Sequence, residues 1–280
     1  MDSIEAINKS TWSEKWAEYR KRPGSFIMFI FVHLATLITV LSIGFLLVYV
    51  LVKGIPNLNA DIFSWEYTSD NCSLVPALIN TVYMTLLSLL IAGPIGIFAA
   101  IYLVEYAKTG NKLVGVVRIT AETLTGIPSI VYGLFGMLFF TNACGLRLSL
   151  ISGALTLAIM VLPVIMRTTE EALMAVPKSY REGSFGLGAG KLRTVFKVVL
   201  PSAVPGILSG IILATGRIVG ETAALIYTAG SVAKMATKLT DSTRTLAVHM
   251  YLLSKEGLHT DQGYATAVVL LVLVVLINFA

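Results

Sequence analysis

The chain has 280 residues, of which 56% are apolar and only 13% are charged, and its formal net charge is +5. Soluble domains carry about 25% charged residues, so this composition and a mean hydropathy of +0.80 exclude an ordinary soluble protein. Continuous apolar stretches of about 20 residues are typical of membrane-spanning helices, whereas a spanning β-barrel would alternate over segments of about 10 residues.

Six apolar runs predict an all-α integral membrane protein with six transmembrane helices. They cover approximately 25–52, 77–104, 123–141, 148–167, 204–228 and 264–280. The first run is too long for a signal peptide and lacks a small-residue cleavage site, so we expect a retained helix. We therefore expect a cytoplasmic amphipathic tail over 1–24, a first helix and outer loop over 25–76, and the main transmembrane domain over 77–280.

The lysines and arginines predict the orientation. Fourteen of them fall on the N-terminal tail and on the second and fourth loops, against six on the opposite side. Basic loops stay on the cytoplasmic side, so both termini and the loop 168–203 are predicted to be cytoplasmic in a multi-pass protein of the cell (inner) membrane. Because the basic residues are spread over separate loops, they do not indicate nucleic-acid binding.

The N-terminal tail carries a helix signal. Thr11 and Glu14 have capping-box spacing, and Trp12, Trp16 and Tyr19 then fall on one helical face. This pattern predicts an amphipathic helix among the lipid headgroups, which need be no more than a membrane anchor.

The cysteines and histidines indicate no metal site. Cys72 and Cys144 fall on the predicted outer side, where a disulfide is permitted, but the sequence leaves open whether they are close enough to form one. His33, His249 and His259 lack metal-ligand spacing.

Polar residues accompany a predicted bend at the start of the third span. Gly126 and Pro128 can break or bend this helix and free backbone groups to line a cavity. Four polar side chains here and at the start of span two could donate to an oxyanion: Thr125, Ser129, Tyr132 and Asn80. Hydrogen bonding between helices is the alternative role for each.

A charged segment between two apolar runs, which we call the 178–201 hairpin, is predicted to form two short helices. The first covers 178–186, a glycine-rich turn follows, and the second covers 191–199 and ends before Pro201. Small side chains at Gly183 and Ser184 would let another protein approach the backbone. Arg181, Phe185 and Leu187 would supply the charge and apolar contacts of a docking surface, although a loop that binds only lipid headgroups is the alternative.

The same region contains an incomplete nucleotide-binding pattern. Gly188 to Leu192 reads Gly-Ala-Gly-Lys-Leu, but Phe185 stands where a P-loop needs its first glycine and Leu192 where it needs serine or threonine. We expect no ATP site, no catalytic residues and no cofactor in this chain.

The fifth span carries a charged pair. Arg217 falls near the middle of the predicted span, and Glu221 follows one turn later on the same face. Ionisable groups at such depth usually mark a transport path, and arginine offers a fork of donors suited to phosphate. We expect Glu221 to neutralise Arg217 while the path is empty, the alternative being a permanent pair that fixes packing. Gly206-x-x-x-Gly210 and Gly216-x-x-x-Gly220 predict close helix contacts.

The outer loop 229–263 is long for a connection. Leu246, His249, Met250 and Leu253 recur at helical spacing within it, which predicts a short amphipathic helix. It would contact an external binding protein or act as a lid over the bundle.

The 178–201 hairpin resembles the cytoplasmic loop of ABC-transporter permeases. That signature is Glu-Ala-Ala, three residues, Gly, nine residues and Ile-x-Leu-Pro. Its counterparts here are Glu182-Gly183-Ser184, Gly188, and Val198-Val199-Leu200-Pro201. The resemblance covers about 77–280 and implies the type I ABC importer permease fold, with this loop coupled to a cytoplasmic ATPase.

Three further segments resemble the permeases of Pst-type phosphate importers: Thr125–Gly133, Arg167–Leu173 and Gly216–Ala224. The Lys53-Gly54-Ile55-Pro56 exit from span one resembles the PstA type of subunit more than the PstC type. The resemblance implies a PstC-like paralogous permease, a PstB-like dimer of ATPase subunits that binds the ATP, and a PstS-like external phosphate-binding protein.

The sequence thus predicts a permease subunit of an ATP-driven phosphate importer that works by alternating access. A permease of the same architecture for another oxyanion, such as sulfate or molybdate, is the first alternative. An autonomous secondary transporter is the second, although it would need no ATPase-docking loop.

Overall fold

The computed structural model describes residues 23–108 and 110–279, and all the regular structure in these ranges is helical. The amphipathic helix predicted for residues 11–19 lies outside them. The chain divides into a unit of residues 1–52 and a unit of residues 53–280.

The described part of the first unit is one long helix, α1, which covers Pro23–Gly54 and so ends two residues past the boundary between the units. Its 32 residues exceed the roughly 20 needed to cross a hydrocarbon core, as predicted for span one. Its apolar side chains are mostly exposed, from Ile27 to Val52, which suits a lipid environment.

The second unit contains ten further helices among the described residues. They are α2 Val75–Ile101, α3 Lys112–Thr125, α4 Ser129–Gly136, α5 Leu150–Ala175, α6 Lys178–Gly186, α7 Lys191–Thr194, α8 Leu200–Val219, α9 Ala223–Thr228, α10 Leu246–Glu256 and α11 Thr260–Phe279. Wider π-helical turns extend α2 over Tyr102–Tyr106, extend α4 over Met137–Ala143, and join α7 to α8 over Val195–Val199.

Helix α5 is the centre of the second unit. Leu157, Met160 and Val161 on this helix are fully buried, and α5 packs against both α2 and α8. Its start is capped by Ser149, whose hydroxyl accepts a hydrogen bond from the amide of Ser152. The helices beside it therefore share one apolar core.

Close packing of α8 on α5 depends on two glycines. A Cβ atom on Gly206 would lie 2.6 Å from the Cβ of Ala172, and one on Gly210 would overlap Thr168. The predicted close contact at Gly206-x-x-x-Gly210 is confirmed. The prediction for Gly216-x-x-x-Gly220 is wrong, because the nearest neighbouring atom to such a Cβ at Gly216 is Nδ2 of Asn278, at 4.0 Å.

Two predicted spans are broken in the structure. Span three was predicted over 123–141 with a break or bend at Gly126 and Pro128, and this bend is confirmed, because α3 and α4 meet at an angle of 103° around Gly126–Pro128. Proline lacks an N–H group and restricts the residue before it, so the helix cannot pass straight through. Span five was predicted over 204–228, but α8 ends at Val219 and α9 begins at Ala223. Five described helices are long and apolar enough to cross a membrane, or six spans with the bent pair.

The second helix of the 178–201 hairpin was predicted to end before Pro201, which is wrong. It continues through the π-helical turn Val195–Val199 into α8. Pro201 cannot donate to a carbonyl of the preceding turn, and the wider π-helical turn directly before it accommodates this gap in the hydrogen bonds of the continuous helix.

The helix predicted in the loop 229–263 is confirmed as α10. Its residues Leu246 and Leu253 are buried, as is His249. Cys72 is buried and Cys144 exposed, and both are free thiols.

Candidate functional site

The two helix breaks are brought to one region by the packing of α4 on α9. A Cβ atom on Gly133 would lie 2.8 Å from the Cα of Ala224, and one on Gly136 would lie 2.7 Å from Cγ2 of Thr228. The break before α4 and the break before α9 therefore lie on neighbouring elements. Interrupted helices leave backbone polar groups unpaired, and such backbone within a membrane lines a cavity or is buried in protein.

Arg217 stands beside the second break, two residues before α8 ends. Its side chain is partly buried, and it has neither an ion pair nor a side-chain hydrogen bond within residues 23–108 and 110–279. The guanidinium is always charged and carries five donors. It is therefore available to an anionic ligand.

Glu221 does not pair with Arg217, so the predicted ion pair is wrong. One-turn spacing holds only inside a helix, and α8 ends between the two residues, at Val219. Glu221 is buried, and its Oε1 accepts a hydrogen bond of 3.1 Å from the amide of Ala224. It therefore stabilises the start of α9.

Tyr132 holds the first break in its bent shape. Its ring is buried, and its hydroxyl donates to the carbonyl of Leu124 at 2.8 Å, across the bend between α3 and α4. This predicted path residue therefore stabilises the bend at the first break.

Two further predicted residues flank the first break. The Thr125 hydroxyl donates to the carbonyls of Ala121 and Glu122, each at 2.9 Å, so it closes the last turn of α3. Ser129 is the first residue of α4 and is partly buried. No side-chain partner of Ser129 lies in the described part of the chain, so its hydroxyl is free to donate.

Asn80 lies away from the breaks and fixes the loop before α10. Its Nδ2 donates to the carbonyls of Lys234 at 2.9 Å and Arg244 at 3.3 Å, and its Oδ1 accepts from the amide of Ala236 at 2.9 Å. Both amide hydrogens are used in this way, which matches the structural alternative for this residue.

The turn of the 178–201 hairpin requires a glycine at position 188. Gly188 has a φ of +80°, which side chains rarely adopt. Its amide donates to the carbonyl of Phe185 at 2.9 Å, and that of Ala189 donates to Ser184 at 3.1 Å, which closes α6 in a Schellman motif. The Ser184 and Thr194 hydroxyls then bond at 2.8 Å and join the two arms.

Most of the predicted docking residues face outward. Phe185 is 48% exposed and Leu187 is 91% exposed, which is unusual for apolar side chains unless another surface covers them. Glu182, Gly183 and Gly188 are exposed as well. At the far end of the hairpin, Pro201 is exposed and Leu200 is partly buried against the core.

Arg181, by contrast, is turned into the protein. Its Nε and Nη2 donate to Oε1 of Glu105 at 3.0 and 2.7 Å, and it also donates to the carbonyls of Val176 and Leu173, each at 2.9 Å. The prediction that Arg181 supplies charge to a docking surface is wrong, because all of these bonds lie within the chain. Sequence reasoning missed Glu105, although a lone acid directly after an apolar run was a usable signal.

A second set of ion pairs ties α3 to the end of α5. Arg118 pairs with the buried Glu170, while Arg167 pairs with Glu171 at 3.1 Å and with Glu122 at 3.6 Å. These charges hold α3, the first arm of the bent pair, against α5. The sequence analysis found that Arg167–Leu173 resembles the Pst-type permeases, but it predicted no partners for Arg167, Glu170 and Glu171.

The model of the family of binding-protein-dependent transport system inner membrane components matches residues 92–280. The chain belongs to this family. It is 34% identical over 247 residues to the probable ABC transporter permease protein YqgI of Bacillus subtilis (strain 168), covering 81% of this chain and 82% of that protein. It is 40% identical over 179 residues to the phosphate transport system permease protein PstA of Xylella fastidiosa (strain 9a5c), covering 63% of this chain and 62% of that protein.

Solved structures agree on the fold. A chain of a bacterial alginate ABC transporter, solved with a periplasmic protein bound to alginate pentasaccharide, superposes with a TM-score of 0.67 at 13% identity. The match covers 93% of this chain and 94% of that chain. A chain of the MetNI methionine ABC transporter gives a TM-score of 0.56 at 24% identity, and the match covers 71% of this chain and 88% of that chain.

The permease is therefore a multi-pass inner-membrane subunit of an ABC importer, and the predicted fold class is confirmed. Permeases of this family work with an ATPase and with a binding protein, and they have no ATPase site of their own.

Proposed function

We propose that this permease carries inorganic phosphate and forms the path together with a paralogous permease subunit. The observation that carries the proposal is the guanidinium of Arg217, which has no ion pair among the described residues and lies beside the break after α8, in a chain similar to proteins named PstA. An external binding protein would deliver the phosphate, and a dimer of ATPase subunits would drive its passage.

The chemistry of the break region suits an oxyanion. The guanidinium of Arg217 can bind two oxygens of one phosphate, and these charged hydrogen bonds are the stronger kind. Ser129 can add a neutral donor from the first turn of α4. Glu221, whose Oε1 already accepts from the Ala224 amide, does not compete with phosphate for Arg217 in this conformation.

The 178–201 hairpin would couple this region to the ATPase. Phe185 and Leu187 are exposed and would fill a groove on the ATPase from the cytoplasmic side. Arg181 would pass the movement to α2 through Glu105, since their ion pair joins the hairpin to the end of that helix. Because α7 is continuous with α8 through the π-helical turn, the same movement would reach Arg217.

The proposal is tested by reconstituting the permease with its paralogous subunit and ATPase subunits in liposomes and adding the external binding protein. We expect phosphate to stimulate ATP hydrolysis and to accumulate in the liposomes. Stimulation by sulfate or molybdate instead of phosphate would contradict the substrate assignment. Accumulation by the permease alone, driven by an ion gradient, would contradict the coupling to an ATPase.

A further inference from the structure

Arg244 is a buried arginine without a counter-ion. Its side chain is 6% exposed, and no acidic side chain in the described part of the chain forms an ion pair with it. Its Nε and Nη2 atoms are buried and have no hydrogen-bond partner. An unpaired buried charge is costly, so an arginine kept in this state usually has a functional partner.

Hydrogen bonds hold the backbone of Arg244, and an aromatic ring lies against its guanidinium. Its amide donates to the carbonyl of Val232 at 3.2 Å, and its carbonyl accepts from Asn80. Its Cζ lies 4.5 Å from the ring centroid of Tyr67. A ring against the guanidinium face leaves the N–H groups of the edge unsatisfied, and Nε and Nη2 together form the fork that binds two oxygens of one oxyanion.

Thr245 adds a hydroxyl at the start of α10. It is 1% exposed, and its Oγ1 has no hydrogen-bond partner and does not cap the helix. Helix N-termini carry a partial positive charge that favours anions. The hydroxyl and the helix therefore reinforce the preference of Arg244 for an anion.

His249 supplies an acceptor next to these donors. Its Nε2 donates to the carbonyl of Cys72 at 3.2 Å, and its ring packs edge-on against the same Tyr67, with centroids 6.0 Å apart. Burial, helped by the charge of Arg244, lowers the pKa of His249 to about 3, so the ring is neutral. With the proton on Nε2, the buried Nδ1 is an acceptor that lacks a donor.

We propose that Arg244, Thr245 and His249 bind an oxyanion that still carries a proton, the class to which hydrogen phosphate belongs. The fork of Arg244 would hold two of its oxygens, Thr245 would donate to a third, and the hydroxyl of the anion would donate to Nδ1 of His249. Sulfate carries no proton at neutral pH, so it would leave the His249 acceptor unpaired and would bind more weakly.

This inference rests on the proposed function and names a second site for the same anion. Under the predicted topology the cluster lies on the outer side, so it would take phosphate before Arg217 does. Tyr67 stands on the segment between α1 and α2, and this segment must shift for the anion to enter.

The test measures binding of radioactive inorganic phosphate to the complete transporter in nanodiscs, with sulfate as competitor. All variants also carry Arg217→Gln, which reduces phosphate binding at the helix breaks. We expect Arg244→Gln to weaken phosphate binding about tenfold or more. Lys238→Gln, which removes an exposed charge from the same loop, should leave it unchanged. We expect His249→Phe to narrow the preference for phosphate over sulfate, which a purely structural role would not do.

If the Arg244→Gln complex does not assemble, the isosteric variant Thr245→Val takes its place. We expect Thr245→Val to weaken phosphate binding severalfold. The inference is overturned if an assembled Arg244 or Thr245 variant binds phosphate as tightly as the parent and the assembled His249 variant keeps the parent's preference for phosphate over sulfate. If the same variants, with Arg217 restored, also import phosphate, the second site is refuted and the proposed function stands. A wild-type complex that imports another oxyanion instead of phosphate would overturn both proposals.

Discussion

Arg118 and Arg181, at the hairpin end of the permease, form ion pairs, whereas Arg217 at the break after α8 forms none with any described residue. Arg181 forms an ion pair with Glu105 and donates to two carbonyls, and Arg118 pairs with Glu170. A paired arginine holds two elements in a fixed relation, and under the proposed function it passes movement between them. Under the same proposal the partly buried Arg217 binds the anion, so the pairing separates the two proposed roles.

The largest expected effect is at the unpaired site. Replacing Arg217 with Gln removes charged hydrogen bonds worth about 1.5–3 kcal/mol, so we expect phosphate uptake to fall about 10- to 100-fold. Uptake into liposomes by the assembled complex measures this. Arg147→Gln, the same change at an exposed position, is the control. Normal uptake by the Arg217 variant would remove the distinction between the two regions.

The paired site should respond differently. Glu105→Gln leaves a largely buried Arg181 without its counter-ion, and we expect a loss of stability of about 3 kcal/mol together with weaker coupling. Thermal unfolding of the purified complex and the ratio of phosphate imported to ATP hydrolysed measure the two effects. The double variant Glu105→Gln, Arg181→Gln should lose less than the sum of the single variants. Strict additivity would show that the pair does not act as a unit.

Packing along α8 gives the next contrast. Gly210→Ala places a methyl group against Thr168, so we expect destabilisation of about 1–3 kcal/mol by overpacking. Gly216→Ala has open space beside it and serves as the matched control. The melting temperatures of the Gly210→Ala and Gly216→Ala complexes, measured side by side, test this difference in stability. Equal values would mean that α8 is no more tightly packed against α5 than beside the break.

The smallest effect concerns the turn of the hairpin. Gly188→Ala forces an alanine into a left-handed conformation, at a cost of about 1–2 kcal/mol, while Gly186→Ala in the same turn meets no neighbour and is the control. We expect only the Gly188 variant to weaken co-purification of the ATPase subunits. Equal co-purification of the two variants would argue that the shape of this turn does not govern docking.

Much of the fold follows from local patterns that need no partner. Apolar runs predicted the spans, a glycine-rich turn predicted the end of α6, and the helical spacing of Leu246, His249, Met250 and Leu253 predicted α10. Gly206-x-x-x-Gly210 predicted a close contact because small residues let the backbones of two helices approach each other. These features are encoded within a few neighbouring residues, so periodicity and composition reveal them.

The errors have one cause. The break after Val219 and the continuous helix through Pro201 both depend on what surrounds the backbone, and apolar composition alone does not indicate either. The Arg217–Glu221 pair was inferred from helical spacing, and it failed because the helix ended between the two residues. The role of Asn80 in the path stays a prediction, but its hydrogen-bond partners could not be read from local patterns, because they lie more than 150 residues away in the chain.

The sequence by itself determined the membrane class, most of the helices and the hairpin signature, because each is a regularity of short range. Only the tertiary structure decided which charges are neutralised. Ion pairing depends on distances between side chains far apart in the chain, as for Arg181 and Glu105, and folding alone sets those distances. The same is true of Arg217 and Arg244, whose lack of a counter-ion among the described residues becomes visible only once every neighbour is in place.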